Sequence, residues 1–365
     1  MSNFHNHCVV TLKGSNSYIS SLAIAGKFLC IGNSDKEILL WKRDSLISGL
    51  DHELIMENNT IATGKGAVKF LVVLADKLFS AHQDHKIRVW QIDGHGVDDN
   101  NHPFTHLATL PTLTDRAIKL LNPNNNVQIR RHKKTTWVHH VDTVSSLALS
   151  QDESLLYSVS WDRTLKVWQT NNFKCLESVR NAHDDAINAV AITNDGYVYT
   201  GSTDKKIKVW KKGVGQKRHS LVATLEKHHS GVNALAVSSD GSVIFSGASD
   251  KSIVAWERNG NGDGNMVAVG ELIGHTKAVL CLTVVDHLLF SGSADRTIRI
   301  WREMERYCYS CFAVLEGHRG PVKCLAAAST KPNNVHDATT KPAYLLYSGS
   351  LDCELKVWQI FVALP

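Results

Sequence analysis

Histidine, a hydroxyl residue and aspartate return together five times in this chain: His140, Ser158 and Asp162; His183, Thr200 and Asp204; His228, Ser246 and Asp250; His275, Ser291 and Asp295; His318, Ser348 and Asp352. A histidine passing a proton between a hydroxyl and a carboxylate is the chemistry of a nucleophilic hydrolase. Such an enzyme needs one activated hydroxyl. Here each aspartate is followed six residues later by a tryptophan, Trp168, Trp210, Trp256, Trp301 or Trp358. Near-identical sets repeated along a chain describe a structural brace rather than an active site.

The aspartate-to-tryptophan spacing also occurs at Asp35/Trp41 and Asp84/Trp90, so seven of the nine tryptophans fall into one frame. Four residues after each histidine of the five sets stands an aliphatic residue, Val144, Ile187, Val232, Val279 or Val322, that opens an apolar run. Short apolar runs bounded by turn residues, as in LAVSSDGSVIFSG at 235–247, read as strands. Four short strands in a period of about 45 residues match a propeller blade, whose sheet cannot bury both faces without neighbours.

The hydrophobic fraction of 43% and charged fraction of 21% are those of a globular chain able to bury a large core. A net charge of +5 gives a weak preference for acidic partners. The sequence has no apolar run long enough to span a bilayer and no secretory start. The eight cysteines are scattered, mostly in strand-like runs, as in a reducing compartment. A cytoplasmic or nuclear protein without a membrane segment is expected.

GHTKAVLCLTV followed by LLFSGSADRTIRIW, residues 274–301, resembles a nearly complete repeat of the WD-repeat family, and the resemblance covers almost the whole chain. It implies an all-β fold, a single seven-bladed propeller over residues 1–365. The chain reaches a third strand, LKVWQI at 355–360, so CVVTLKG at 8–14 is expected to complete the last blade and close the ring. In that family a Ser or Thr on the second strand and the Trp on the third extend the His–Asp pair into a network, which implies that role for Ser158, Thr200, Ser246, Ser291 and Ser348.

Blades one and two depart from the pattern: Ser15 and Gly64 stand where histidine is expected, and Ile31 stands where blade one should have serine. Both blades are therefore expected to be the least braced. His82 and His85, flanking Asp84, read as substitutes for the missing set rather than as metal ligands. Residues 91–134 are expected to form an insertion between the third and fourth strands of one blade, on the wide face, and 329–343 an outgrowth of blade seven. RRHKK at 130–134 reads as a solvated strand face, with a nuclear import signal as its functional alternative. CYSC at 308–311 lacks a second ligand pair for zinc, and GKG at 64–66 and GVGQKR at 213–218 lack the phosphate-loop setting. No cofactor or metal is expected.

The family resemblance places the turn before each repeated aspartate on the narrow rim, its usual contact surface. The residues before the aspartates include two large apolar ones, Trp161 and Leu351. The residues after them include Lys36, Arg163, Lys205, Lys251 and Arg296, a basic collar suited to an acidic or phosphorylated peptide. Asp142 and Asp185, with Asp184, read as polar contacts on the same rim. Trp161 has no brace to join, so it is expected to face a partner.

SWDRTLKVW, KCLESVRNAHDDAINAV, LPTLTDRAIKLL, RRHKKTTWVHH and GHRGPVKCLA resemble the plant JINGUBANG-type WD-repeat proteins. That resemblance implies a non-enzymatic regulatory scaffold, linked to pollen germination, with protein partners that include transcription regulators, and no small-molecule substrate. It implies location in nucleus and cytoplasm. Members often carry a serine-rich N-terminal extension, whereas this chain begins almost at the first blade, so a function housed there is expected to be absent or lost from the sequence as given. A monomeric propeller within a complex is expected. Alternatives are a ubiquitin-ligase substrate receptor, disfavoured because no third-strand Trp is followed by Asp-x-Arg, a channel enzyme, and a nucleic-acid-associated propeller, whose binding would depend steeply on salt.

Overall fold

The computed structural model describes residues 5–13, 17–43, 60–63, 65–92, 104–120, 126–130, 133–213, 215–258, 265–330 and 343–361. Among these residues seven four-stranded antiparallel sheets, each a blade, follow one another, and in the first six consecutive strands are neighbours. Blade four is representative: Ile187–Ile192, Tyr197–Ser202, Lys206–Lys212 and His219–Glu226. Its second strand is buried at every position, whereas its outermost strand is largely half-buried or exposed. That gradient explains the sequence pattern. Second strands are covered on both faces by neighbouring blades and read as continuous apolar runs, while outer strands face water.

The core is a ring of clusters between adjacent blades. One joins Val243, Phe245 and Ala255 of blade five to Val279, Leu289 and Trp301 of blade six. Close approach there needs a residue without a side chain: a Cβ on Gly247 would lie 2.6 Å from Val279 Cγ1.

His5–Lys13 is the outer strand of blade seven, paired antiparallel with Glu354–Phe361 from His5↔Phe361 to Lys13↔Glu354. Val10 and Leu12 are buried in the cluster that joins blade seven to blade one. The first strand of the chain thus closes the ring, as the sequence predicts.

The expected insertion over 91–134 is corrected. Phe104–Leu110, inside that span, is the fourth strand of blade two. The helix Leu113–Leu120 and the hairpin Asn126–Arg130/Lys133–Thr136 come after it, before blade three. The strand escaped detection because only its ends, Phe104 and Leu110, are buried and His106 and Leu107 between them face water. The helix does not extend the wide-face connection. It flanks blade three, where buried Asp115 accepts the Cys175 N–H at 2.9 Å and blunts that sheet edge. Residues 93–103 and 331–342, the latter most of the blade-seven outgrowth, lie outside the described residues, as do Arg131 and His132 of the basic run.

Candidate functional site

The five repeated sets assemble into one geometry. His183 Nε2 lies 2.8 Å from Thr200 Oγ1, and its Nδ1 lies 2.8 Å from Asp204 Oδ2. Trp210 Nε1 donates to the same Thr200 oxygen at 2.9 Å. The corresponding distances for His228, Ser246, Asp250 and Trp256 are 2.7, 3.0 and 2.8 Å. The sets of His140, His275 and His318 repeat them. Burial holds each of these histidines below its ordinary pKa, so the ring is neutral. The neutral ring donates from Nδ1 to aspartate and accepts the hydroxyl proton at Nε2, while the hydroxyl oxygen accepts the indole N–H. Every donor has an acceptor, which is what a buried polar network requires.

Each aspartate also fixes the loop before its blade. Asp295 Oδ2 accepts from the Thr276 backbone N–H at 2.9 Å, and Oδ1 accepts from Thr297 Oγ1 at 2.7 Å. Burial would raise this carboxyl, but those hydrogen bonds outweigh it and hold the pKa at about 2. The hydroxyl residues Ser158, Thr200, Ser246, Ser291 and Ser348 are fully buried. A substrate cannot reach an oxygen so enclosed, so the hydrolase reading of these sets has no geometric support.

Blade two reaches the same end differently. His82 comes from the second strand: its Nε2 lies 2.8 Å from Ser80 Oγ and its Nδ1 donates to Gly66 O at 3.1 Å. Trp90 Nε1 donates to Ser80 Oγ at 2.9 Å. Asp84, left without a histidine, takes the Arg88 guanidinium on both oxygens, at 3.1 and 2.5 Å. The expectation that blade two is among the least braced is therefore corrected. His82 is the substitute, and His85 is not: it is exposed on the rim. Blade one has Ile31 in place of the hydroxyl, and its turn is held instead by Asn33, whose side chain accepts the Glu37 N–H at 2.9 Å.

The antiparallel order places the turns between second and third strands, and the loops that lead into each first strand, at one end of every blade. All seven residues that follow the repeated aspartates there adopt left-handed backbone, with φ of 74° at Lys36, 68° at His85, 65° at Arg163, 73° at Lys205, 75° at Lys251, 74° at Arg296 and 66° at Cys353. None is glycine. The five lysines and arginines among them are exposed. Trp161 and Leu351, each 42% exposed, stand on the same rim. Exposed Asp142 and Asp185 spend one carboxylate oxygen on their own loops, accepting from Thr143 N at 2.6 Å and Ala186 N at 2.7 Å.

Sequence reading missed two groups at this rim. Ser160, Ser202, Ser293 and Ser350 each accept the N–H of the aspartate two residues on, at 3.1 Å. The first three also donate to the carbonyls of Asp142, Asp185 and Lys277 at 3.0 to 3.1 Å, tying turn to loop. The Ser-x-Asp spacing was the available signal. The second group is exposed cations outside the turn position, Lys277, Arg319 and Lys323, found in the loop after each histidine or one residue into the first strand. They make blades five to seven an arc of positive charge with Lys251 and Arg296, while the loop acids Asp142, Asp184 and Asp185 sit on blades three and four.

The family description "WD domain, G-beta repeat" matches residues 131–169, 173–211, 219–257, 266–302 and 309–359. The chain belongs to the WD-repeat family. Each of the five matched units contains one of the loop-histidine sets. The chain is similar to the "Ribosome biogenesis protein WDR12 homolog" of Trichoplax adhaerens, 26% identical over 246 residues, which are 58% of this chain and 56% of the relative. It is 22% identical to the protein of the same name in Culex quinquefasciatus over 231 residues, 56% of this chain and 54% of the relative. "Small ribosomal subunit protein RACK1" of Drosophila melanogaster is 34% identical over 85 residues, 22% of this chain and 26% of the relative. The chain spans about half the length of the WDR12 homologs. None of the three is of the plant type that the sequence resembles. Among the described residues, no helix is long and apolar enough to cross a membrane.

Proposed function

We propose that this WD-repeat propeller is a non-enzymatic scaffold whose narrow rim docks an acidic segment of a protein partner. The observation that carries the reading is the run of seven left-handed turn residues, none of them glycine and five of them cations. An L-residue is disfavoured in that backbone region and glycine is not, so the cationic side chains are kept against a local conformational cost. Five charges held outward on braced turns, with an exposed tryptophan among them, form a preorganised surface for carboxylates. The regulatory setting, with a transcription regulator among the partners and a nuclear or cytoplasmic location, rests on the plant-type resemblance.

The experiment is affinity capture from native extract with the wild-type chain and with Trp161→Ala plus Arg163→Ala, after both are shown to fold equally. Loss of specific proteins from the variant capture supports the rim as the working surface. Identical captures overturn it and move attention to the helix and hairpin at 113–136.

The relatives favour a second context, a role in ribosome assembly, because two carry that function in their names. Co-sedimentation with ribosomal precursors would support it, and its absence would leave the regulatory setting.

A further inference from the structure

The second residue of each first strand lies at the rim end of the seam with the next blade, and its neighbours show a rule. Ser20 Oγ donates to Val68 O of blade two at 2.6 Å, and Ser145 Oγ to Ile187 O of blade four at 2.5 Å. Asn188 and Asn233 donate through Nδ2 to Val232 O and Val279 O at 3.0 and 2.9 Å. Where that residue is Leu280 or Lys323, the next residue supplies a thiol contact across the seam, Cys281 Sγ to Val322 O at 3.7 Å and Cys324 Sγ to Ile19 O at 3.9 Å. Between blades two and three the position is Lys69, followed by Phe70, which has no polar atom to offer.

Lys69 does something else. Its ammonium crosses the seam and lies 5.8 Å from the ring centroid of Trp161, the exposed tryptophan of blade three. The turn that presents Trp161 is fixed: its N–H donates to Thr143 O at 3.0 Å, and the following Asp162 N–H donates to Ser160 Oγ. Arg163 is exposed two residues on in left-handed backbone. Burial holds the Lys69 amine below its ordinary pKa, so its charge is incompletely hydrated.

We infer that the seam between blades two and three is the anchor subsite of the rim, taking a peptide segment in which an aspartate or glutamate adjoins an aromatic or long aliphatic side chain. The carboxylate pairs with Lys69 and the apolar neighbour covers the free face of Trp161. A partly desolvated ammonium regains an opposite charge at low cost, and the indole loses exposed apolar area. The inference rests on the reading of the rim as a docking surface and adds the chemistry of its occupant.

The test uses the full chain and fluorescein-labelled peptides Glu-Glu-Phe-Glu-Glu and Glu-Glu-Ala-Glu-Glu in anisotropy titrations, with a labelled oligouridylate alongside. Variants are Lys69→Met, which keeps the apolar stem, Trp161→Ala, these two combined, and Lys251→Ala plus Arg296→Ala on the opposite arc. The phenylalanine peptide is expected to bind, with each seam variant weakening it on the order of tenfold. The double seam variant should lose less than the product of the two, because the groups act together. The alanine peptide should bind more weakly and be indifferent to Trp161→Ala. Loss confined to the opposite-arc variant overturns the anchor and keeps the docking rim. No binding of either peptide overturns both. Oligouridylate binding lost in Lys69→Met, with no peptide binding, assigns the seam to nucleic acid instead.

Discussion

His82 Nε2 lies 2.8 Å from Ser80 Oγ on the same strand and replaces, in blade two, a histidine that five other blades bring from a loop. With Trp90 donating to the same oxygen, blade two has a satisfied network, and among the described residues blade one has none of this type. Local opening should therefore begin in blade one. Amide exchange is expected to be fastest in Phe28–Asn33 and slow in Lys77–His82, at rates like the second strands of blades four to six. Equal exchange in the two strands would remove the brace as the cause.

Replacing one member of a set takes a partner from each of the others while they stay in place. His228→Ala leaves Ser246 Oγ with the Trp256 indole and Asp250 Oδ2 with the His229 N–H, each one hydrogen bond short, at a cost of about 1–3 kcal/mol. Urea unfolding should show the midpoint falling with little change in slope. A variant as stable as the parent would mean that water replaces the imidazole without loss.

The brace also sets the response to acid. The histidines of the five sets and His82, the last at about 4, are held below their ordinary pKa, so the unfolded chain binds protons that the folded one excludes. Stability should be full above the unfolded histidine value of about 6.5 and fall as pH drops below it. The aspartates, also depressed, add to the loss below about 3.8, where the unfolded carboxyls protonate first. Thermal midpoints between pH 7.5 and 4.5 check this. A flat profile would require the histidines to be charged in the fold.

The sequence showed the blade number, the ring closure and the five loop-histidine sets because each rests on strict spacing among residues with few alternatives. The outer strand Phe104–Leu110 was hidden because a strand buried only at its two ends carries no alternation. The rim was half legible. Trp161 and the five turn cations follow from their place beside an aspartate, but Lys69 belongs to a different strand and blade, and its approach to Trp161 depends on how the blades stack.

The turn cations can be separated from the fold they decorate. Lys251 and Arg296 stand at φ of 75° and 74°, where an L-residue is disfavoured by roughly 1–2 kcal/mol and glycine is not, though glycine costs about 0.5–1 kcal/mol more to order. These effects nearly cancel, so Lys251→Gly plus Arg296→Gly should leave the melting temperature unchanged or slightly higher. The same variant removes two charges from the basic arc, and binding of an acidic partner should weaken and become less sensitive to salt. Calorimetry and titration at two ionic strengths read both effects on one sample. Unchanged stability with weakened binding means that the charges serve recognition. A clear drop in melting temperature would mean that the side-chain stems pack on the rim as structure and that the left-handed cations serve the fold rather than recognition.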